Sequence, residues 1–367
     1  MEENLRYPFA EHPTPGTTQE LAPGVRWLTM PMPGSLSRIN LYLLEDHDGW
    51  FVVDTGLNLP ETAEVWDQVF SNELGRKPVK GVICTHMHPD HIGQAAMITD
   101  RFRCPLYMTR TEYYQARSFS NNSGSHHQSW LGAEFYSRAG MPDDYLQQLE
   151  KMWSQRSSDG MSMPTMPSGY ERLEEGQVLT IGGHDWHVVV GSGHSPEHAC
   201  LYCAALKIMI SGDQILPIIT SNVSVHPTEP NANPLKAWMD SHDRFLSTPA
   251  DTFILPAHNL PFYGVRERLR GLISHHDDRM LAIEEACREP QVAKDLLPVL
   301  FARELDPRQM MMALGEAIAH VHLLMHRNRI ERQLHEDGRY RFLSIDPDLE
   351  RRARESHDAP SDGPVMV

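Results

Sequence analysis

Between Thr85 and Gly93 the 367-residue chain reads T-H-M-H-P-D-H-I-G, placing His86, His88, Asp90 and His91 within six positions. Imidazole and carboxylate together suit zinc, iron or manganese. The stretch follows the apolar run Val79–Cys84 and precedes Ile92–Met97, which reads as the opening of a helix. The cluster is therefore expected on a strand-to-helix turn, at the kind of strand end where α/β sheets bind ligands. In an extended turn His86 and His88 project the same way, as i and i+2 residues do. Asp90 and His91 come round the bend, where they can serve a second ion. A polar loop that happens to be rich in histidine is the plain alternative. It loses weight because ligand-type residues recur downstream.

Those residues also follow strand-like runs. His194 comes after Trp186–Val190 across Gly191-Ser192-Gly193, Asp213 after Lys207–Ile210, and His258 after Phe253–Ala257. One ion would take His86, His88 and His194; a second would take Asp90, His91 and His258; Asp213 could bridge them. Two divalent ions, zinc foremost with iron or manganese as alternatives, leave positions for a shared water. Coordination lowers the pKa of such a water from about 15.7 to roughly 7, so a metal-bridging hydroxide forms near neutrality and no side-chain nucleophile is required. Asp90 and Asp213 are the carboxylates expected to act in catalysis. Asp54, in V-D-T-G at another strand end, is read as holding a ligand histidine by its free ring nitrogen, with an ordinary turn aspartate as the alternative. His198 is read as a supporting or surface residue. His226, in the Pro- and Asn-rich loop 216–233, is a weak candidate for substrate contact. His126 and His127, in Ser/Asn/Gly-rich sequence, are read as loop surface, with a lid contact to substrate as the alternative.

The elements that must position these groups follow from turn signals and periodicity. Residues 1–24 read as an irregular arm. Val25–Met30, Ile39–Glu45, Trp50–Asp54 and Arg101–Met108 read as strands, and Pro60–Leu74 as an amphipathic helix. From about 111 to 166, aromatic residues and Met dominate, which predicts a helical insertion. Such stripes form core more often than pockets, but a position between two ligand clusters favours a substrate lid. From Val265, three helical patterns (265–287, 291–301, 308–326) and a D-G turn between short runs predict a separate helical module with a β-wing to residue 345. The histidines of that region (275, 276, 320, 322 and 326) read as core or helix-face residues. Residues 346–367 read as a frayed tail.

Composition narrows the classes. A formal net charge of −16 argues against a chain built to grip phosphate backbones. Five cysteines do not suggest a disulfide framework, and Cys200 and Cys203 lie in an apolar run, where core packing is the expected role. No apolar run reaches transmembrane length and no leader is visible at Met1-Glu2-Glu3-Asn4, so a cytoplasmic protein without membrane attachment is expected.

The motif H-x-H-x-D-H at 86–91, the upstream V-D-T-G and the single His194, Asp213 and His258 at strand ends resemble the metallo-β-lactamase superfamily over roughly residues 25–264. The resemblance implies a four-layer αββα sandwich, an α+β fold with a dinuclear site at one edge of two sheets. Asp213 makes the site similar to glyoxalase II-type thioesterases, lactonases and phosphoesterases rather than to the β-lactamases proper. The 265–345 module resembles the winged-helix domain appended to some members. The expected function is hydrolysis of a small-molecule or acyl ester, thioester or lactone. Two alternatives stand beside it: a nucleic-acid hydrolase gripping through Arg327, Arg329, Arg332, Arg339 and Arg341, or a regulator that keeps the metal site and uses the module for partners. Acidic residues among those arginines make nucleic acid the weaker partner, and a homodimer is plausible.

Overall fold

A computed structural model describes residues 5–121, 129–154 and 164–357. The first half builds a seven-stranded sheet: β1 (Gln19–Ala22), β2 (Val25–Pro31), β3 (Arg38–Glu45) and β4 (Trp50–Val53), then helix α1 (Pro60–Asn72) and β5 (Val79–Ile83). The short helix α2 (Pro89–Ile92), α3 (Ala95–Phe102) and β6 (Leu106–Thr109) follow. Three helices come next, α4 (Arg110–Asn121), α5 (Ser129–Arg138) and α6 (Asp143–Ser154), before β7 (Glu171–Leu173) closes the sheet. The strands lie in chain order, antiparallel from β1 to β4 and parallel from β4 to β7. Two differences from the sequence reading appear here. The supposed arm contains β1, paired with β2. The supposed strand 101–108 begins in fact as the end of α3, which stops where Arg103 turns left-handed (φ 52°).

The second sheet holds β8 (Val178–Ile181), β9 (His184–Gly191), β10 (His198–Cys203) and β11 (Ile208–Gly212). Helix α7 (Pro234–Leu246) then leads to β12 (Phe253–Pro256), and the order across the sheet is β12-β11-β10-β9-β8. Side chains alternate across these strands with period two. On β3, Tyr42 and Leu44 face the second sheet, packing with Trp186, Val188 and Leu201. Ile39, Leu41 and Leu43 face the other way, toward the layer of α1, α3 and α4. On the far side of the second sheet, Cys200, Met209 and Ile254 pack on α7 and the following helix. The result is the expected four layers, helix, sheet, sheet, helix. Cys200 and Cys203, an odd number of positions apart, point to opposite faces of β10, and all five cysteines are free.

The C-terminal region comprises α8 (Val265–Ala286), a 3-10 turn (Ala293–Leu296), α9 (Leu297–Leu300) and α10 (Pro307–His326), then the hairpin β13 (Ile330–Leu334) and β14 (Tyr340–Ser344), and α11 (Leu349–His357). Residues 349–357, expected as a frayed tail, are instead a helix held on α8. The fully buried Glu284 carboxylate pairs with Arg329 and with Arg352 of α11 (2.6 Å), and Arg352 also pairs with Asp346. The largest apolar cluster joins this region to the insertion: Tyr136, Met141, Tyr145 and Leu149 pack with Leu296, Leu300 and Leu314. Tyr136, Met141 and Tyr145 of the insertion are therefore core between two modules, whereas Trp130 of α5 is exposed. Among the described residues no helix is long and apolar enough to cross a membrane.

Candidate metal centre

All seven predicted ligands meet at one edge of the two sheets, beyond the carboxyl ends of β4, β5, β9, β11 and β12. In the turn after β5, His86 Nε2 lies 2.8 Å from His88 Nδ1 and 3.2 Å from His194 Nε2. His194 arrives on the turn after β9, where Gly193 adopts φ +98° and a Cβ would stand 2.3 Å from Trp238 Cβ; only glycine lets the turn sit this close to α7. His88 is the N-cap of α2, and Asp90 and His91 lie in its single turn. That turn aims them at His258, with His258 Nε2 3.5 Å from Asp90 Oδ2 and His91 Nε2 3.6 Å from the same oxygen. Asp213, directly after β11, stands between the groups: Oδ2 is 3.4 Å from His194 Nε2 and 3.6 Å from His91 Nε2, and Oδ1 is 3.5 Å from His258 Nε2. By the reach of their ligand atoms the residues form two sets, His86, His88, His194 and Asp213, and Asp90, His91 and His258.

Whether this geometry suits cations follows from the far side of each ring. His194 Nδ1 donates to the Asn222 carbonyl (2.8 Å) and His258 Nδ1 to the Arg38 carbonyl (3.3 Å), so in each ring Nε2 is the inward atom left to serve as a metal ligand. His91 Nδ1 donates to Asp54 Oδ2 (2.8 Å), again leaving Nε2 as the inward lone pair. His91 Nε2 and Asp213 Oδ1 are buried and have no hydrogen-bond partner. Lone pairs and carboxylates converging on one buried point repel unless a cation lies between them, and a hard or borderline divalent ion is the cation this donor set fits.

The protonation preferences carry the same message. Burial, reinforced by His91, holds His86 well below the usual histidine range, and burial with His194 holds His88 at about 3. Both therefore keep their nitrogen lone pairs. Burial alone would push Asp90 and Asp213 up, but the His91 and His258 rings outweigh it, leaving Asp90 at about 2 and Asp213 well below the carboxylate range. Burial likewise opposes charge on His91, yet Asp54, Asp90 and Asp213 raise it well above the ordinary value. Three carboxylates draw positive charge into this point.

Asp54 follows β4 directly, within hydrogen-bond reach of His91. It sits at φ +61°, and besides His91 it accepts from the Thr85 amide (2.8 Å) and hydroxyl (2.9 Å). His198 supports the site from within and is fully buried, not on the surface. Its Nε2 accepts the Asp213 amide at 3.1 Å, and its ring stacks on His86 with centroids 4.7 Å apart. His226 is exposed on its loop, and His126 and His127 lie outside the described residues. His276, His320 and His322 are buried in the C-terminal region, where His276 Nδ1 meets His320 Nε2 at 3.1 Å, and none joins the metal groups. The Arg-rich face near the hairpin is mixed in charge, with Arg329 on Glu284 and Arg341 on Asp337.

Two residues carry structural weight that the sequence did not show. Glu112 of α4 is fully buried; its carboxylate accepts the Met87 amide (2.9 Å) and the Glu197 amide (2.7 Å), tying the first ligand turn to the His194 turn. Burial pushes its pKa up. Glu316 of α10 accepts from Asn222 Nδ2 at 3.4 Å, next to the peptide that orients His194, and burial pushes it up to about 7. No local spacing marks either, because their partners are backbone or distant in sequence.

Residues 34–258 match the model of the metallo-beta-lactamase superfamily, and residues 280–345 that of a metallo-beta-lactamase-like C-terminal domain. The chain belongs to the metallo-beta-lactamase superfamily. Members of this superfamily of metallo-hydrolases typically bind divalent metals, in keeping with the two His/Asp groups. A crystal structure of a beta-lactamase domain protein from Burkholderia ambifaria is 40% identical, with a TM-score of 0.86, covering 94% of this chain and 99% of that one. Among curated relatives, the human acyl-coenzyme A thioesterase MBLAC2 is 24% identical over 54% of this chain and 65% of its own length. A linear primary-alkylsulfatase from a Pseudomonas strain is 22% identical over 66% of this chain, and the match spans only 45% of the sulfatase. Superfamily membership thus comes with both thioesterase and sulfatase homologues.

Proposed function

We propose that this chain is a metal-dependent hydrolase of an acyl thioester, ester or lactone. One observation carries the reading: Asp213 stands within 3.4–3.6 Å of ring nitrogens from both ligand groups, so two cations, zinc foremost, would be held side by side with a carboxylate between them. His86, His88 and His194 would hold one ion, and Asp90, His91 and His258 the other, with Asp213 shared. Ions bound in this way acidify a water and polarise a substrate carbonyl.

The chain's own groups supply the rest. Asp90, the more open of the two carboxylates at 16% against 10% exposure, can accept a hydrogen bond from the attacking water to orient it. The rings of His194, His258 and His91 are fixed by Asn222, Arg38 and Asp54, so the donors are in place before substrate arrives. An acyl substrate rather than a sulfate ester is favoured by the thioesterase relatives. The test is turnover by the metal-loaded chain on acyl-CoA thioesters, p-nitrophenyl esters, lactones, alkyl sulfates and phosphodiesters, with metal content measured alongside. Hydrolysis of carboxylic substrates is expected, lost in His86→Ala with the fold intact. Turnover of alkyl sulfates alone, or of nothing in the panel, would overturn the reading.

A further inference from the structure

Away from the ligand edge, α5, the loop 227–231, the 3-10 turn, α10 and the β13–β14 hairpin enclose a cavity of about 190 Å³. Phe135, Ala139, Ile318 and Phe342 give it apolar walls. Cavities of about 150 Å³ lined by such residues take up benzene, so this one has room for a phenyl ring or a short alkyl chain.

The polar groups on its lining are not balanced. Arg138 is paired with Glu134 (2.5 Å) and donates to the Tyr340 hydroxyl (3.0 Å). Arg332 is half-buried, lies over the Tyr340 ring 4.4 Å from its centroid, and donates only to the Asn231 side-chain oxygen (3.3 Å); no carboxylate pairs with it among the described residues. His322 Nδ1 donates to the Ala232 carbonyl (2.7 Å), so Nε2 is left as an acceptor. Burial and the nearby Arg332 lower its pKa, which keeps it neutral at physiological pH. The cavity therefore carries one uncompensated positive charge beside apolar walls.

We propose that this cavity binds a small carboxylic acid with an apolar body, its carboxylate on Arg332 and its ring or chain among Phe135, Ile318 and Phe342. A guanidinium matches a carboxylate in shape as well as charge. The site is separate from the metal centre and draws on none of its ligands.

Calorimetric titration of the full metal-loaded chain with hexanoate and phenylacetate, against hexanol and 2-phenylethanol, tests this. Each acid is expected to bind about tenfold or more tightly than its alcohol. Arg332→Gln should remove that preference and leave alcohol binding unchanged, and Ile318→Phe should reduce binding of acid and alcohol alike. His258→Ala, which disables the metal centre, should bind the acids as the parent chain does. Acid binding that survives Arg332→Gln, that is lost in His258→Ala, or that is absent at millimolar concentration would overturn the assignment. An equal affinity for acid and alcohol would reduce the cavity to an apolar void and overturn it too.

Discussion

Glu112 offers the most direct test of how the ligand turns are held together. Its two carboxylate oxygens each accept one backbone N–H, from Met87 between His86 and His88, and from Glu197 between His194 and His198. Glu112→Gln preserves shape but offers one carbonyl in place of two acceptors, and sets an amide N–H against one of the backbone donors. A hydrogen bond to a charged group contributes about 1.5–3 kcal/mol, and an orphaned buried donor costs about 1–3 kcal/mol. Against this, the neutral amide escapes the burial cost that pushes the Glu112 carboxyl up. The net loss is expected to be about 2 kcal/mol of stability, and more for Glu112→Ala, which strands both donors. The same change should weaken the ion held by His86, His88 and His194 about tenfold to a hundredfold, since all three lie on the two tied turns. Chelator competition followed by metal analysis, with urea denaturation in parallel, reads both effects. If Glu112→Gln leaves the urea midpoint and the release of both metals unchanged, the turns do not depend on this bridge and the reasoning fails.

Asp54→Asn keeps the left-handed backbone at φ +61°, which Asn tolerates, but replaces Oδ2, the acceptor from both His91 and the Thr85 hydroxyl, with an N–H group; about tenfold to a hundredfold weaker metal binding in the Asp90–His91–His258 group is expected, and unchanged affinity would show that this carboxylate does not orient His91. Gly93→Ala would put a Cβ 2.3 Å from Gly56 O and 2.4 Å from Asn58 N, both backbone atoms; a loss of more than about 3 kcal/mol or failure to accumulate is expected, so a soluble variant with the parent's melting temperature contradicts the close packing. Glu316 is raised from 4.5 to about 7, with Asn222 and Arg279 opposing the shift. The native state therefore keeps a proton that the unfolded chain has released between those values, and stability falls as pH rises through that window. Glu316→Gln removes this dependence, so denaturation at pH 5 and pH 8 should show the variant gaining on the parent by up to about 3 kcal/mol at the higher pH; an equal difference at both pH values refutes it.

The candidate ligands were readable because His86, His194, Asp213 and His258 follow a strand end by three positions or fewer, with His88, Asp90 and His91 in the turn just beyond His86, and strand ends announce themselves by apolar runs closing on Gly, Asp or Thr. Gly193-His194 and Gly212-Asp213 are local signals. What holds the ligands is not local. Glu112 acts on amides 25 and 85 positions away. Asn40, buried between the sheets, donates to the Pro256 and Asn259 carbonyls and so fixes the segment carrying His258. Neither residue lies in a pattern that spacing can reveal. Helix α7 starts at Asn233-Pro234, where the loop 216–233 ends, and its local signal is the Asn233 side chain, which accepts the Lys236 amide. The insertion was legible as helical from its aromatic and Met residues, but not what it faced: Tyr136 and Leu149 meet the C-terminal helices across more than a hundred residues of chain.

That last contact changes what the C-terminal region is for. Its helices do not simply sit beside the catalytic layers; they clamp the loop that orients a ligand. Arg268 of α8 donates to the carbonyls of Leu216 (2.6 Å) and Ile219 (2.8 Å). From α10, the Met312 carbonyl accepts the Ser224 hydroxyl (3.0 Å), the Gly315 carbonyl accepts the Val225 amide (3.0 Å), and Glu316 takes the Asn222 side chain. Gly315 has no room for a Cβ, which would stand 2.8 Å from Ser224 Cβ. These five contacts bracket Asn222, the residue whose carbonyl turns His194 toward the candidate metal centre. A loop of this length and Pro/Asn content would otherwise sample many conformations. The candidate ligands are therefore held by more than strand ends: Glu112 ties the turns that carry His86, His88 and His194, and the loop that orients the His194 ring is held in turn by α8 and α10.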